Sequence, residues 1–152
     1  MADAILSLTK DFTLQEMVRS EKAIELKISE QFNPSAEVIL ALRDLCINLL
    51  QPLRDHLGVI DIDSGWRCPR LNAAIGGVGN SWHVLGEAAD CKHPVEDGFD
   101  NMAIIHAVLE LKLPFDQMID EKNLEWVHLS YSRKQCRRQV LKFTDGHYEI
   151  IS

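Results

Sequence analysis

The chain has 152 residues, 46% hydrophobic and 26% charged, a length and composition that suit one soluble globular domain with a buried core. Its formal net charge of −7 speaks against bulk electrostatic attraction to nucleic acid or to anionic wall polymers, so a partner has to be recognised locally. No apolar stretch approaches the length of a membrane-spanning helix, and no membrane partner is expected.

The first nine residues carry an acid, Asp3, and too short an apolar run for a signal peptide. The expected location is therefore the cytoplasm at synthesis, with a cell wall reached only through a holin or by a leader outside this sequence. Thr13 followed by Glu16 has the spacing of a capping box and opens a short helix. Residues 21–33 read as polar and irregular. From Pro34, Val38, Leu42, Leu45, Leu49 and Leu53 recur at spacings of three and four, which predicts a helix to about His56 with Gly58 just beyond its end.

Residues 59–63 alternate partly and predict a strand leading into a turn at Arg67, followed by a short helix over 70–75 closed by Gly76 and Gly77. The glycine-rich segment up to Ser81 reads as a loop on the rim of a cleft. A strand is expected over 87–91 and an amphipathic helix over 101–111, stopped by Pro114. Further strands are expected over 115–119, 126–130, 140–143 and 148–151, the last two forming a hairpin around Gly146. Helices first and strands later predict an α+β fold, residues 1–152 as a single domain, with an antiparallel sheet packed against the N-terminal and central helices. The chain is expected to be a monomer.

Within this frame, Ser81-Trp82-His83-Val84-Leu85-Gly86-Glu87-Ala88-Ala89-Asp90 is answered downstream by Glu125-Trp126-Val127-His128. Two histidines and an aspartate are the ligand set of a catalytic zinc site, because three protein ligands leave the fourth tetrahedral position open to water. Zinc lowers the pKa of such a water to about 7, and a carboxylate such as Glu125 can take its proton and pass it to a leaving amine. Gly86, Ala88 and Ala89 are small residues that let the backbone pass close to the metal and leave space for a substrate. The chain reads as a metal-dependent hydrolase.

The arrangement resembles the peptidase M15 family, the zinc D-alanyl-D-alanine carboxypeptidases and related peptidoglycan endopeptidases. The family pattern Ser-x-His-x-x-Gly-x-Ala-x-Asp, then Glu-x-x-His, is met by Ser81, His83, Gly86, Ala88 and Asp90, then by Glu125 and His128. An upstream Ser-Gly-Tyr-Arg element appears as Ser64-Gly65-Trp66-Arg67, with Trp in place of Tyr, which should alter the pocket wall rather than the chemistry. The similarity covers most of the chain and is nearest to the short single-domain members of bacteria and their phages.

The resemblance implies one Zn2+ held by His83, Asp90 and His128, Glu125 as general base, and Arg67 on the substrate carbonyl or a carboxylate. Ser81 would support the site by hydrogen bonding rather than act as a nucleophile, and Trp126, sharing strand parity with His128, would form cleft wall beside the substrate. Peptidoglycan stem peptides would be cut at a bond involving a D-amino acid, by a carboxypeptidase or an endopeptidase, for instance a phage or prophage lysin. Cytoplasmic recycling of wall fragments is the other enzymatic role. A catalytically inactive zinc-containing binding module of Hedgehog-like type is the alternative of a different class.

Blander readings compete at each position. Asp90 can be a turn residue, Glu125 a solvated carboxylate, and Arg67 the cap of the helix near Pro69 or half of a surface ion pair. Four of the six histidines, His56, His93, His106 and His147, carry no pattern and read as ordinary surface or core residues. Asp120 and Glu121 are two further carboxylates that reach the same water if the Asn123-Leu124 turn folds back. Residues three apart on a flat strand face opposite sides, so Glu125 is expected in that turn or at a bulge, with His128 pointing inward. Cys46, Cys68, Cys91 and Cys136 read as free thiols, a Cys68–Cys91 disulfide being the one pairing that sequence proximity to Arg67 and Asp90 suggests.

Overall fold

The computed structural model describes residues 4–151, so the first three residues of the segment weighed as a leader lie outside it. Helix α1 (Leu14–Val18) is capped as its sequence predicts, the Thr13 side chain accepting from the Glu16 amide. The next stretch is more ordered than its polarity suggests: α2 (Glu21–Glu25) is capped by Ser20, and a 3-10 turn spans Ser29–Phe32. The anchor is Gln31, 1% exposed, whose amide donates to the Val18 and Trp66 carbonyls and accepts from the Cys68 amide. A polar side chain satisfied by three backbone groups leaves no trace in a hydrophobic pattern, which is why the sequence reads as irregular here.

The long central helix begins after its Ser35 cap as α3 (Ala36–Leu45), passes through a π-turn at Cys46–Leu50 and continues as α4 (Gln51–Leu57). Pro52 lacks an amide hydrogen and in a regular helix its ring presses on the carbonyl four residues back; the wider π-turn lies just before it, where the helix must make room for that ring. Gly58, at φ +93°, ends the helix where the sequence places the stop. Leu42, Leu45, Leu49 and Leu53 are wholly buried beneath the sheet, where α4 also packs on α7 (Asn101–Glu110), a helix capped by Asp100.

The sheet comprises β1 (Asp61–Ser64), β2 (Ala88–Lys92), β5 (Gln117–Glu121), β6 (Trp126–Ser130), β7 (Gln139–Thr144) and β8 (His147–Ile150), in the spatial order β1-β2-β6-β5-β7-β8. Between β1 and β2 lie the short helices α5 (Pro69–Ala74) and α6 (Trp82–Leu85), and after β2 a small hairpin, β3 (Pro94–Val95) with β4 (Gly98–Phe99). Neither α6 nor that hairpin is legible in the sequence, and several strand ends shift by one or two residues from the expected ranges. The fold is α+β, as expected, and every neighbouring pair in the main sheet is antiparallel except β5 with β7.

That parallel pair follows from the chain's path. Strand β6 runs against β5 and so ends beside its beginning; residues 131–138 then cross to the far side of β5 and start β7 in the same direction. Asp116, fully buried, fixes the crossing through two bonds from the Arg137 guanidinium, at 2.8 and 2.9 Å. Side chains alternate across the sheet: Ala89, Cys91, Met118, Val127, Leu129 and Val140 join the core below, while Asp90, His128, Glu121 and Trp126 share the opposite face. Among the described residues no helix is long and apolar enough to cross a membrane.

Candidate metal centre

Three separate local structures converge on one point of that upper face. Asp90 and His128 are direct cross-strand partners on β2 and β6, so their side chains project together. His83 arrives from α6, which Ser81 caps by accepting from the His83 amide, and which Gly86 ends in the left-handed region at φ +77°. Gly86 lies against α3, where a Cβ would come within 2.9 Å of the Val38 carbonyl oxygen. Its smallness serves helix termination and packing, which corrects the expectation that it eases the backbone past a metal. Ala88 and Ala89 are likewise wholly buried and line no open space.

One oxygen of Asp90 lies 3.2 Å from His83 Nε2 and 3.1 Å from His128 Nδ1, and the three candidate ligand atoms lie within 4.8 Å of one another. Tetrahedral zinc bonds of 2.0–2.2 Å place ligand atoms roughly 3.3–3.5 Å apart. The donor set and its spacing therefore fit a divalent metal ion. His83 Nδ1 is 2.7 Å from the Gly65 carbonyl, which can only accept, so Nδ1 carries a proton, and Nε2 is the atom that would turn its lone pair to a metal or, when protonated, donate to Asp90. Burial by itself raises Asp90, but the charge on His83 and hydrogen bonds from both histidines outweigh it and hold the carboxyl well below the usual carboxylate range. None of the other four histidines joins this group.

Arg67 does not cap α5; the Cys68 side chain does. The Arg67 guanidinium donates instead to Ser81 Oγ at 3.2 Å, and its Nε is buried without a hydrogen-bond partner among the described residues. Burial pulls its pKa below the ordinary value and the Asp90 carboxylate opposes that pull, which places the guanidinium within reach of the metal group's field. Trp66 donates its indole N–H to the Val84 carbonyl of α6 at 3.0 Å and, with Arg67, Arg19, Lys22 and Asp63, lines a cavity of about 470 Å³.

Glu125 stands in the turn before β6, after three consecutive residues with positive φ, Lys122, Asn123 and Leu124. Its amide donates to the Glu121 carbonyl, its own carbonyl accepts from Asn101 and its side chain is exposed. Trp126 pairs with Glu121 and shares the face of His128. Of the two upstream carboxylates, Asp120 is spent on the turn, accepting from the Leu124 amide at 2.7 Å, whereas Glu121 belongs to the face of the metal group. Burial raises the Glu121 pKa, His128 opposes, and the carboxylates of Asp90 and Asp120 add to the rise. Counting parity across the β5–β6 hairpin is the sequence signal that separates these two acids.

All four cysteines are unpaired; Cys91 points into the core, on the face opposite Asp90, as strand alternation requires. The model of a family described as Peptidase M15 matches residues 10–130, which is most of the chain and includes every residue of the metal group. No curated protein matches the chain.

Proposed function

The chain belongs to the peptidase M15 family, and from that premise we propose that it is a zinc-dependent peptidase acting on peptidoglycan stem peptides at a bond involving a D-amino acid. The observation that carries this reading is the meeting of His83, Asp90 and His128 beside an arginine whose buried Nε has no partner among the described residues. We take residues 1–152 as one such domain, acting as a monomer. Zinc held by the three ligands would supply a Lewis acid for the scissile carbonyl and a water acidic enough to ionise near neutral pH.

The chain's own residues divide the remaining work. Glu125 takes the proton of the attacking water and returns it to the departing amine. Arg67, steadied by Ser81, directs its fork of donors at the oxyanion that develops on the carbonyl oxygen. Trp126 offers an apolar wall on the metal-side face, and the Arg67 cavity receives the other end of the substrate. The test is mass spectrometry of purified peptidoglycan digested with and without a chelator: a chelator-sensitive new peptide end supports the reading and identifies the bond. Retained zinc with no cleavage of any wall peptide would replace it by the binding-module reading, to which the exposed position of Glu125 lends some weight.

A further inference from the structure

The family match ends at residue 130, yet the sheet continues through β7 and β8, and their register extends the face that carries the metal group. Glu121 pairs with Trp126 on one side and with Phe143 on the other, and Phe143 pairs in turn with Tyr148. Partners in register share a face, so Trp126, Glu121, Phe143 and Tyr148 form one row across four strands. The row beside it contains Asp90, His128 and Ile119. Two residues along a strand separate the rows, a distance of roughly 7 Å.

Glu121 is only 9% exposed, yet among the described residues its carboxylate makes no ion pair and no side-chain hydrogen bond. The residue is largely covered while its carboxylate keeps some access to solvent, and its register partners on both sides are aromatic, which leaves the carboxylate open to an incoming cation. Phe143 and Tyr148 pack with ring centroids 4.7 Å apart and planes tilted by 45°, and Tyr148 is 57% exposed. Lys122 already places its ammonium 5.4 Å from the Trp126 ring centroid, so one ring of the row holds a cation, but that lysine does not pair with Glu121.

We propose that this row is a substrate subsite for a peptide side chain ending in a free ammonium group, on the residue next to the bond cut. The carboxylate supplies the countercharge and the ring faces supply cation–π contacts. The roughly 7 Å step from the metal row suits a lysine-length side chain extending from the reacting carbonyl. The inference rests on the peptidase reading and names a specificity for it. It also gives the segment beyond the family match a role in choosing substrates.

The probes are a synthetic wall stem peptide carrying lysine and its ε-acetylated twin, since acetylation removes the charge and leaves the backbone intact. Zinc-loaded full chain is measured two ways: kcat and KM for hydrolysis, and calorimetric binding to the Glu125→Gln chain. The free amine should be preferred by about tenfold or more in both, and Glu121→Gln should erase the preference mainly through KM and Kd. Tyr148→Ala, at a largely exposed position that folding tolerates, should weaken it. Equal treatment of the two peptides by the unsubstituted chain, or an undiminished preference in Glu121→Gln, overturns the subsite. So does loss of hydrolysis of both peptides in Glu121→Gln with zinc retained, which would put Glu121 in proton transfer. Ammonium-selective binding without any hydrolysis would leave the subsite standing and fell the peptidase reading instead.

Discussion

His83 Nδ1 donates to the carbonyl of Gly65 at 2.7 Å, so the residue that turns the chain toward Arg67 also sets the tautomer of a candidate metal ligand. Gly65 cannot gain a side chain where it stands, because a Cβ would collide with the Met17 backbone. Gly65→Ala should therefore shift the turn, cost roughly 1–3 kcal/mol of stability by overpacking, and weaken metal binding about 10–100-fold by misorienting His83. Denaturant melts and zinc titration of the same preparation measure both; unchanged zinc affinity in a destabilised protein would detach the carbonyl from the site.

Protein purified without added metal should hold about one zinc per chain, and alanine at His83, Asp90 or His128 should abolish stoichiometric binding. Elemental analysis checks this. Full occupancy after His128→Ala would remove that residue from the ligand set.

Arg67→Lys should lower turnover far more than zinc affinity. Lysine keeps the charge but loses the fork, and removing one such donor from an oxyanion costs roughly 2.7–4 kcal/mol in the transition state. Because Ser81 accepts from the arginine, Ser81→Ala should show a smaller loss of the same kind. Wild-type turnover in Arg67→Lys would leave the arginine with no more than its contact to Ser81.

Glu125→Gln should keep zinc and lose hydrolysis by about 10²–10⁴-fold, since it preserves shape while removing the basic oxygen. Its exposed position makes the comparison with Glu121→Gln informative. Equal activity of Glu125→Gln and wild type, both loaded with zinc, would pass the proton-transfer role to another carboxylate.

The thiols offer a check on the fold that needs no activity. Burial pushes Cys46 up to about 12 and Cys91 well above its ordinary value, Cys68 is buried, and Cys136 is exposed. Alkylation of native protein at pH 8 should label Cys136 alone, and denaturation should release all four; fewer than four would revive the Cys68–Cys91 pairing. Unfolded, Cys46 ionises near the ordinary thiol value of 9.0, so the stability from keeping its thiol neutral is complete below that pH and is lost as pH rises toward 12. Cys46→Ala should flatten this alkaline loss in melts taken between pH 8 and 11.

Local chemistry was readable wherever neighbours in the chain decide the structure. The leucine spacing marked the central helix and Gly58 its stop, Thr13 the cap of α1, and the residues of β6 a strand with Trp126 and His128 on one face. The pattern singled out His83, Asp90 and His128, and the fold brings these three together as a group that could hold a metal ion. What neighbours in sequence cannot encode is pairing between distant segments. Gln31 orders residues that look irregular by bonding Trp66 and Cys68, and α6 forms just after the expected loop, where no element was expected, because Ser81 and Gly86 cap a single turn against α3. The parallel placement of β7 beside β5 depends on Asp116 and Arg137 meeting across the chain. That register alone puts Phe143 and Tyr148 in line with Glu121, because a strand's pattern says which residues share a face but not which strand will lie beside it.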